Sequence, residues 1–176
     1  MANRNWISYW FMLTAPLMLW DAAFCFMRPR SMVGGDLHWL WKIYDVYGQV
    51  DRVYGVQAFE DGEGLANAAA ILNVLENVAA ISYLYLVHVS PSPLSSLAGY
   101  TGATMTFAKT CLYVAKEYYC GLCTIGHNDF GGMMFYWIMP NCVWLTFSIL
   151  IMYTLGLDIA RSLTKGPLYA NHHKLE

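Results

Sequence analysis

The chain has 176 residues, of which 57% are hydrophobic and 16% aromatic, while only 12% are charged, against about 25% in an average soluble domain. This composition excludes an ordinary soluble enzyme and predicts a membrane protein with a single domain over residues 1–176. The net charge is −2 and the sequence has no long basic run, so no nucleic-acid partner is expected.

A first apolar segment, at about residues 6–27, predicts a membrane-spanning helix. Pro16 lies inside it and is expected to kink the helix, which membrane proteins tolerate where neighbours satisfy the freed backbone groups. A cleaved signal peptide is the alternative, but the crowding of aromatic residues and the lack of a small-residue cleavage site favour an uncleaved helix. Asp21 is either a functional carboxyl or an interfacial residue that snorkels.

The connection at 28–62 holds several of the twelve acidic residues. Its aromatic and aliphatic side chains recur at helical spacing with charges between them, which predicts a short amphipathic helix on the membrane face. These residues are Leu37, Leu40, Trp41, Tyr44 and Tyr47. We expect this segment to cap the bundle, with Trp41, Tyr44 and Tyr54 in a lid over the mouth of a cavity.

The second predicted span, 63–88, has Glu76 near its middle. About 20 helical residues cross the hydrocarbon core, so Glu76 falls near the midplane. A charge there costs about 2.5–3.5 kcal/mol, so the carboxyl is expected to face a partner or a cavity. Asn73 and Asn77 lie within one turn of it and make one side of the helix polar. The pattern predicts the wall of a site, and the alternative is a polar contact that only joins helices.

The third predicted span, 94–118, follows a tight Pro/Ser turn that allows only an antiparallel return. Its polar face includes Lys109. A buried Lys109 would partner Glu76 or Asp21, whereas a segment that ends early would leave this lysine at the membrane interface.

The fourth predicted span, 133–158, places Asn141 and Trp144 on one face, where the alternative to a site is ordinary packing with one interhelical hydrogen bond. Together, the segments predict an all-α fold: a polytopic membrane four-helix bundle with a short amphipathic helix in the first loop. Four spans would place both termini on one side of the membrane.

The chain has five cysteines, and most of them fall within apolar segments, where free cysteine behaves as a small hydrophobe. We expect them to be reduced. Cys120 and Cys123 form a CxxC motif with His127 shortly beyond, which is a weak signal for metal or redox chemistry. No second pair completes a zinc site, so we expect no metal.

Three stretches of the sequence resemble the emopamil-binding protein family, known as the EXPERA domain, and the resemblance covers nearly the whole chain. The stretches are 40–54, 73–85 and 139–152. The resemblance places the family's loop pattern on Leu40, Trp41, Lys42, Tyr44, Asp51, Arg52 and Tyr54, its helical acid on Glu76, and its Asn-x-x-Trp on Asn141 and Trp144. Members are membrane proteins of four or five helices in the endoplasmic reticulum, and they include a sterol double-bond isomerase and the sigma-two receptor.

The chain departs from the isomerase pattern in its first segment. The isomerase offers a His and a Glu there, whereas this segment has no His, and Trp20 and Asp21 occupy that neighbourhood. Asp21 resembles the corresponding aspartate of the sigma-two receptor more closely.

From these patterns we expect a membrane isomerase or cyclase that moves protons through carboxyl groups and needs no cofactor. Its substrate would be sterol-like, a terpenoid or a polyene. Glu76 is the candidate acid, because a carboxyl among apolar helices can hold its proton at neutral pH. Asp21 would be the second carboxyl, and Asn141 would orient the acid. The expected substrate-binding residues are Trp144, Tyr113, Trp20, Asn73, Asn77, Trp41 and Tyr44.

The alternatives are a non-catalytic sterol- or lipid-binding protein of the sigma-two type and a structural subunit whose polar faces close on one another. The expected partners are a hydrophobic small molecule and membrane lipid, with a homodimer possible. The expected location is the endoplasmic reticulum membrane, with several spans. The expected role is in lipid metabolism or in terpenoid or polyketide biosynthesis.

Overall fold

A computed structural model describes residues 5–172, with side chains described to residue 164. This part of the chain is all-helical and contains no strand. The α-helices in chain order are α1 (Asn5–Phe26), α2 (Tyr44–Val50), α3 (Val56–Glu60), α4 (Leu65–His88), α5 (Leu94–Tyr119), α6 (Phe130–Met133) and α7 (Met139–His172). Short 3-10 helices occupy His38–Trp41 and Arg52–Tyr54, and a π-helical turn, Met134–Ile138, joins α6 to α7.

Within the described residues, three helices are long and apolar enough to cross a membrane. They are α1, α4 and the continuous helix Phe130–Thr164. The expectation of an all-α fold is therefore confirmed, and three of the expected spans have the length and composition of membrane helices. Helix α5 has 26 residues but carries Ser, Thr, Lys and Glu side chains, so its sequence is less apolar. The last helix continues past residue 158, where the predicted fourth span ends.

Each of the four long helices packs against two others. Contacts join α1 to α4, α4 to α5, and α5 to α7. Aromatic rings complete the circle between α1 and α7, where Trp10 stacks on Phe147 with ring centroids 3.9 Å apart. Small residues allow the close approach of α5 to its neighbours: a Cβ added at Gly102 would lie 3.3 Å from the Cβ of Ala79 on α4. Such close backbone packing is typical of membrane helices.

The segment that we call the lid, residues 38–60, folds into two short α-helices and two 3-10 helices. The short amphipathic helix that was predicted within it is divided, because the 3-10 helix His38–Trp41 and α2 are separate elements. Asp51 interrupts the first of the α-helices because its backbone is extended and its side chain accepts a bond from the backbone nitrogen of Val53. Gly48 then allows the chain to fold back on itself, since a Cβ there would lie 3.3 Å from the carbonyl oxygen of Tyr54.

Aromatic packing docks the lid on the C-terminal end of α1. Tyr44 stacks on Phe24 with ring centroids 3.9 Å apart. Trp41 is buried, and its indole nitrogen donates to the carbonyl oxygen of Trp20 at 3.0 Å. Val53 has no exposed surface. One side of the lid is therefore packed into the protein core, and the lid is not a free loop.

A second loop, residues 120–129, holds the lid from the side of α5. Asn128 Nδ2 donates to the carbonyl oxygen of Val50 at 2.8 Å. The ring nitrogen Nε2 of His127 lies 2.6 Å from the carbonyl oxygen of Gln49. The backbone nitrogen of Arg52 donates to the carbonyl oxygen of Thr124. His127 is therefore engaged with the lid and not with the CxxC motif.

The expectation that all five cysteines are reduced is wrong, because Cys120 and Cys123 form a disulfide. The turn after α5 brings their Cα atoms to 5.4 Å, which is within the usual range for such a bond. Glu117 has a carboxylate oxygen within 4.8 Å of both sulfurs. A disulfide offers no thiolate, however, and the thiolate is the form that binds metals.

The contact between α5 and its neighbours provides a stability test. A Cβ at Gly99 would lie 2.6 Å from Leu155 Cδ1 and 2.7 Å from Tyr83 Cδ2, and both of those side chains are buried. We expect Gly99→Ala to destabilise the protein by about 1–3 kcal/mol through overpacking. Thermal unfolding in detergent measures the effect. Gly64→Ala is the control, because a Cβ there meets nothing within 4 Å, and equal unfolding of the two variants would contradict the packing argument.

Candidate functional site

A cavity of about 280 Å³ lies at the lid end of the long helices, near the lower limit of roughly 300–1,000 Å³ for ligand pockets. All four long helices and the lid contribute to its walls. Seven of the ten residues predicted for the site line it: Trp20, Asp21, Tyr44, Asn73, Tyr113, Asn141 and Trp144. The structure thus brings together most of the residues selected from the sequence.

Asp21 is the carboxyl that faces the cavity. It lies five residues before the end of α1 at Phe26, which is about 7.5 Å along the helix. The Tyr44 hydroxyl donates to its Oδ1 at 2.6 Å, and Asn73 Nδ2 donates to its Oδ2 at 2.8 Å. A residue of the lid and a residue of α4 therefore fix both oxygens of this carboxyl.

Lys109 of α5 forms a buried ion pair with Glu76 of α4. Its Nζ lies 2.9 Å from each of the two carboxylate oxygens and is hydrogen bonded to Oε2. Only 14% of the lysine side chain and 6% of the glutamate side chain are exposed, so water screens the pair weakly. Thr106 also donates to Oε2, at 2.9 Å. Of the two arrangements expected for Lys109, the buried pairing with Glu76 is the one that the structure has.

Lys109 also donates to Asn73 Oδ1. An ammonium group can only donate, so this contact identifies the oxygen of the Asn73 side chain and turns its NH₂ group toward Asp21. Asp21, Asn73, Lys109 and Glu76 therefore form one continuous hydrogen-bonded network. The residues come from three helices, which are joined at this depth by polar contacts rather than by apolar packing alone.

Glu76 does not line the cavity, although it was the candidate acid of the predicted site. Glu76 is buried, and Lys109 and Thr106 donate hydrogen bonds to its carboxylate. Those two residues and Asn73 line the cavity wall. The rotation of α4 places Asn73 on the cavity and turns Glu76 toward α5.

Asn77 and Trp41 are the other two predicted residues that do not reach the cavity. Asn77 is buried, and its side-chain nitrogen donates to the carbonyl oxygen of Asn73 at 2.8 Å, within its own helix. Trp41 packs against α1, with its ring stacked on that of Trp20 at a centroid distance of 6.4 Å. Tyr44 and Tyr54 are the lid residues from the predicted set that face the cavity.

The π-helical turn before α7 sets the position of Asn141 and Trp144. Pro140 has no backbone N–H to donate, so the regular helical pattern cannot continue through it, and π turns often occur at functional sites. Asn141 Nδ2 donates to the carbonyl oxygen of Trp137 at 2.8 Å. The amide donor of Asn141 is therefore bonded to its own helix, whereas the sequence had suggested that Asn141 orients an acid.

Sequence reasoning missed Tyr47 and Thr110, which also line the cavity. The three-residue spacing between Tyr44 and Tyr47 was a signal for Tyr47, because it puts both rings on one face of α2. The structure also gives Asp51 a role that the loop pattern alone did not indicate. Asp51 has no exposed surface and accepts a hydrogen bond from the hydroxyl of Tyr113.

Compared with protein-family models, curated proteins and solved structures, the chain matches none of them. The function is therefore argued from the geometry of the cavity.

The buried ion pair gives a prediction about stability. Lys109→Met leaves the Glu76 carboxylate buried without its partner, and we expect this to destabilise the protein by about 3–5 kcal/mol. The double variant Glu76→Met with Lys109→Met removes both charges and should recover most of the loss, since apolar replacement of a whole buried pair is often close to neutral. Denaturant unfolding in detergent micelles measures both. Equal losses in the single and double variants would contradict the pairing.

Proposed function

We propose that the chain is a membrane-embedded isomerase or cyclase that transfers protons through carboxyl groups to a sterol-like, terpenoid or polyene substrate. The observation that carries the proposal is the charge count at the cavity. Two carboxyls, Asp21 and Glu76, share a network with one ammonium group, Lys109. A net charge among membrane helices is costly, so the network is most stable when one of the two carboxyls holds a proton.

The proton belongs on Asp21. Lys109 lies within 2.9 Å of both oxygens of Glu76, and this pairing stabilises Glu76 as the carboxylate. Asp21 is the carboxyl on the cavity wall, so its proton can reach a bound substrate. Tyr44 lies 2.6 Å from Asp21 Oδ1 and lines the same cavity. Asp21 can deliver the proton itself, or through Tyr44, which passes on its hydroxyl proton as it takes the proton of Asp21. In both cases Asp21 is left as the carboxylate.

Protonation of a carbon–carbon double bond leaves a cation on the substrate, and the cavity suits a cation. The faces of Trp20 and Trp144 stabilise positive charge by about 0.5–2 kcal/mol each, and the carboxylate left on Asp21 adds its own attraction. Loss of a proton from a neighbouring carbon completes a double-bond shift. Attack by a second double bond before that loss closes a ring. No cofactor is needed because only protons and electron pairs of the substrate move.

The proposal extends to the membrane. Helix α5 would cross as the fourth span with Lys109 and Thr106 turned to the cavity, and the lid would lie on the membrane face as its amphipathic element. The resemblance of Glu76, Asn141 and Trp144 to the emopamil-binding protein pattern supports membership of that family and a location in the endoplasmic reticulum membrane. We propose the same roles in lipid metabolism or in terpenoid or polyketide biosynthesis.

A non-catalytic binding protein is the second candidate, and the same cavity supports it. If Asp21 is ionised, the site carries one unbalanced negative charge beside aromatic walls, which suits a lipophilic amine. N,N-dimethyldodecylamine is a suitable probe. In that case the amine would bind, Asp21→Asn would weaken the binding, and a strain lacking the gene would accumulate no lipid precursor.

The enzyme proposal predicts that Asp21→Asn lowers turnover by about 10²–10⁴-fold, because the amide has no acidic proton to give. The measurement uses microsomes that contain the protein and the lipid extract of a strain lacking the gene, with mass spectrometry of precursor and product. Asp36→Asn is the control, since Asp36 is exposed and pairs with Arg30 in the loop before the lid. Normal turnover by Asp21→Asn would contradict the assignment of Asp21 as the proton donor.

A second variant pair tests which carboxyl gives the proton. Glu76→Gln leaves Lys109 without its carboxylate, so the lysine charge should hold Asp21 ionised and turnover should collapse. Adding Lys109→Met removes that charge and should restore the proton on Asp21, together with part of the activity. If Glu76 is the donor, the double variant stays inactive. Product formation in the same microsomes separates the two cases.

A further inference from the structure

A second carboxyl and tyrosine pair borders the cavity. Tyr113 of α5 lines the wall, and its hydroxyl donates to Oδ2 of Asp51 in the lid. Asp51 is fully buried, and its Oδ1 accepts a bond from the backbone nitrogen of Val53 at 3.1 Å. Asp51 is not part of the cavity wall, so Tyr113 is the member of the pair that a ligand in the cavity can contact.

We propose that Tyr113, positioned by Asp51, is the proton acceptor of the reaction and is separate from the donor pair of Asp21 and Tyr44. This inference rests on the proposed function and selects the cyclase within it. A donor that also took the proton back would suit a shift between neighbouring carbons. A separate acceptor lets the protein remove a proton from a different part of the skeleton, as a ring closure requires. The substrate class is then a polyene with at least two double bonds.

The proposed step balances without a co-reactant. The proton of Asp21 forms a C–H bond with the electron pair of one double bond, and the adjacent carbon becomes cationic. The electron pair of a second double bond forms the new ring bond, and the cation moves to that part of the skeleton. A neighbouring C–H bond then breaks, and its electron pair forms a new double bond. The released proton goes to the Tyr113 oxygen while the hydroxyl proton passes to Asp51.

After one turnover Asp21 is a carboxylate and Asp51 is protonated, so the total charge of the protein is unchanged. The site is reset when product leaves and the two carboxyls exchange protons with solvent. The arrangement therefore needs an acceptor that is basic in its resting state.

The surroundings of Asp51 make it a stronger base than an exposed aspartate. Burial raises the pKa of Asp51, while the hydrogen bond from Tyr113 moderates the rise. The groups that face it from the packed elements are Tyr113, Glu117 and Lys116 of α5 and Tyr47 of α2. The negative charge of Glu117 raises the pKa of Asp51 further, and Lys116 lowers it. Burial is the main reason that the pKa of the Tyr47 hydroxyl is raised, and the negative charges of Asp51 and Asp21 raise it further. Tyr47 therefore stays neutral.

The test compares product ratios in full-length protein in microsomes, suspended in D₂O. The probe is the lipid extract of a strain lacking the gene. The unmodified protein should form a cyclic product that carries one deuterium. Tyr113→Phe should still consume the precursor, because the donor pair is intact, but the cation would be captured by water or lose a proton elsewhere. We expect the ratio of the cyclic product to alcohols and isomeric alkenes to fall about 10²-fold.

Tyr118→Phe is the matched control on the same helix, because Tyr118 is 76% exposed and does not line the cavity. Its product ratio should equal that of the unmodified protein. Asp51→Asn is the second variant, and it should shift the ratio in the same direction as Tyr113→Phe. Should Tyr113→Phe fail to fold, Asp51→Asn and the pH profile of the unmodified protein decide the question.

The pH profile distinguishes proton transfer from a purely structural role of Asp51, because a structural role would not make the product ratio depend on pH. As pH falls through the raised pKa of Asp51, the acceptor becomes protonated, and the unmodified protein should shift to the product ratio of Tyr113→Phe. In Asp51→Asn the ratio should not depend on pH. An unchanged product ratio in Tyr113→Phe or Asp51→Asn overturns the assignment of Tyr113 as the proton acceptor but does not contradict the proposed function. If the unmodified protein converts nothing in the extract, both are overturned.

Discussion

The ion pair between Lys109 and Glu76 is the interaction on which the rest of the site depends. It places a charged group from α5 against a charged group from α4 inside the protein, where either alone would be strongly unfavourable. The lysine also orients the Asn73 amide, and that amide in turn holds one oxygen of Asp21. Lys109 therefore influences the orientation of the Asp21 carboxyl through two hydrogen bonds, one from Lys109 to Asn73 and one from Asn73 to Asp21.

The lid completes the site because it supplies one member of each carboxyl and tyrosine pair. Tyr44 comes from the lid and bonds to a carboxyl of α1, while Asp51 comes from the lid and bonds to a tyrosine of α5. A shift of the lid would change both pairs at once. Its attachment from two sides, by rings stacked on Phe24 and by bonds from the 120–129 loop, explains how a segment of short helices can hold such contacts.

Much of the site could be predicted from sequence because polar groups are conspicuous in apolar helices. Asp21, Asn73, Glu76 and Lys109 each carry a cost of burial that only a partner can offset, so their clustering was foreseeable. What the sequence did not determine was the rotation of α4, which decides whether Asn73 or Glu76 meets the cavity. Both lie on the polar side of the helix, and the choice depends on the packing of α5 against it.

The lid and the start of α7 escaped prediction for different reasons. The pattern of aromatic residues between 37 and 47 satisfies a helical period, but the tight return at Gly48 depends on contacts with Tyr54 that lie beyond any local window. At the start of α7 the proline was visible, whereas the way in which the chain accommodates it was not. The side chain of Asn141 binds the backbone at this turn, so a residue chosen for its polarity has a local partner.

Two residues of the cavity wall also belong to the outer surface of the protein. Leu17 is 52% exposed and Trp20 is 37% exposed, and both line the cavity on α1. If the protein acts on a lipid-soluble substrate, as proposed, that substrate can reach Asp21 from among the lipid chains without crossing water. The concentration that governs occupancy is then the mole fraction in the bilayer. Each added methylene group raises partitioning by about 0.8 kcal/mol, or roughly fourfold. Longer homologues would saturate the protein at lower total concentrations even where the cavity gains no contact with them.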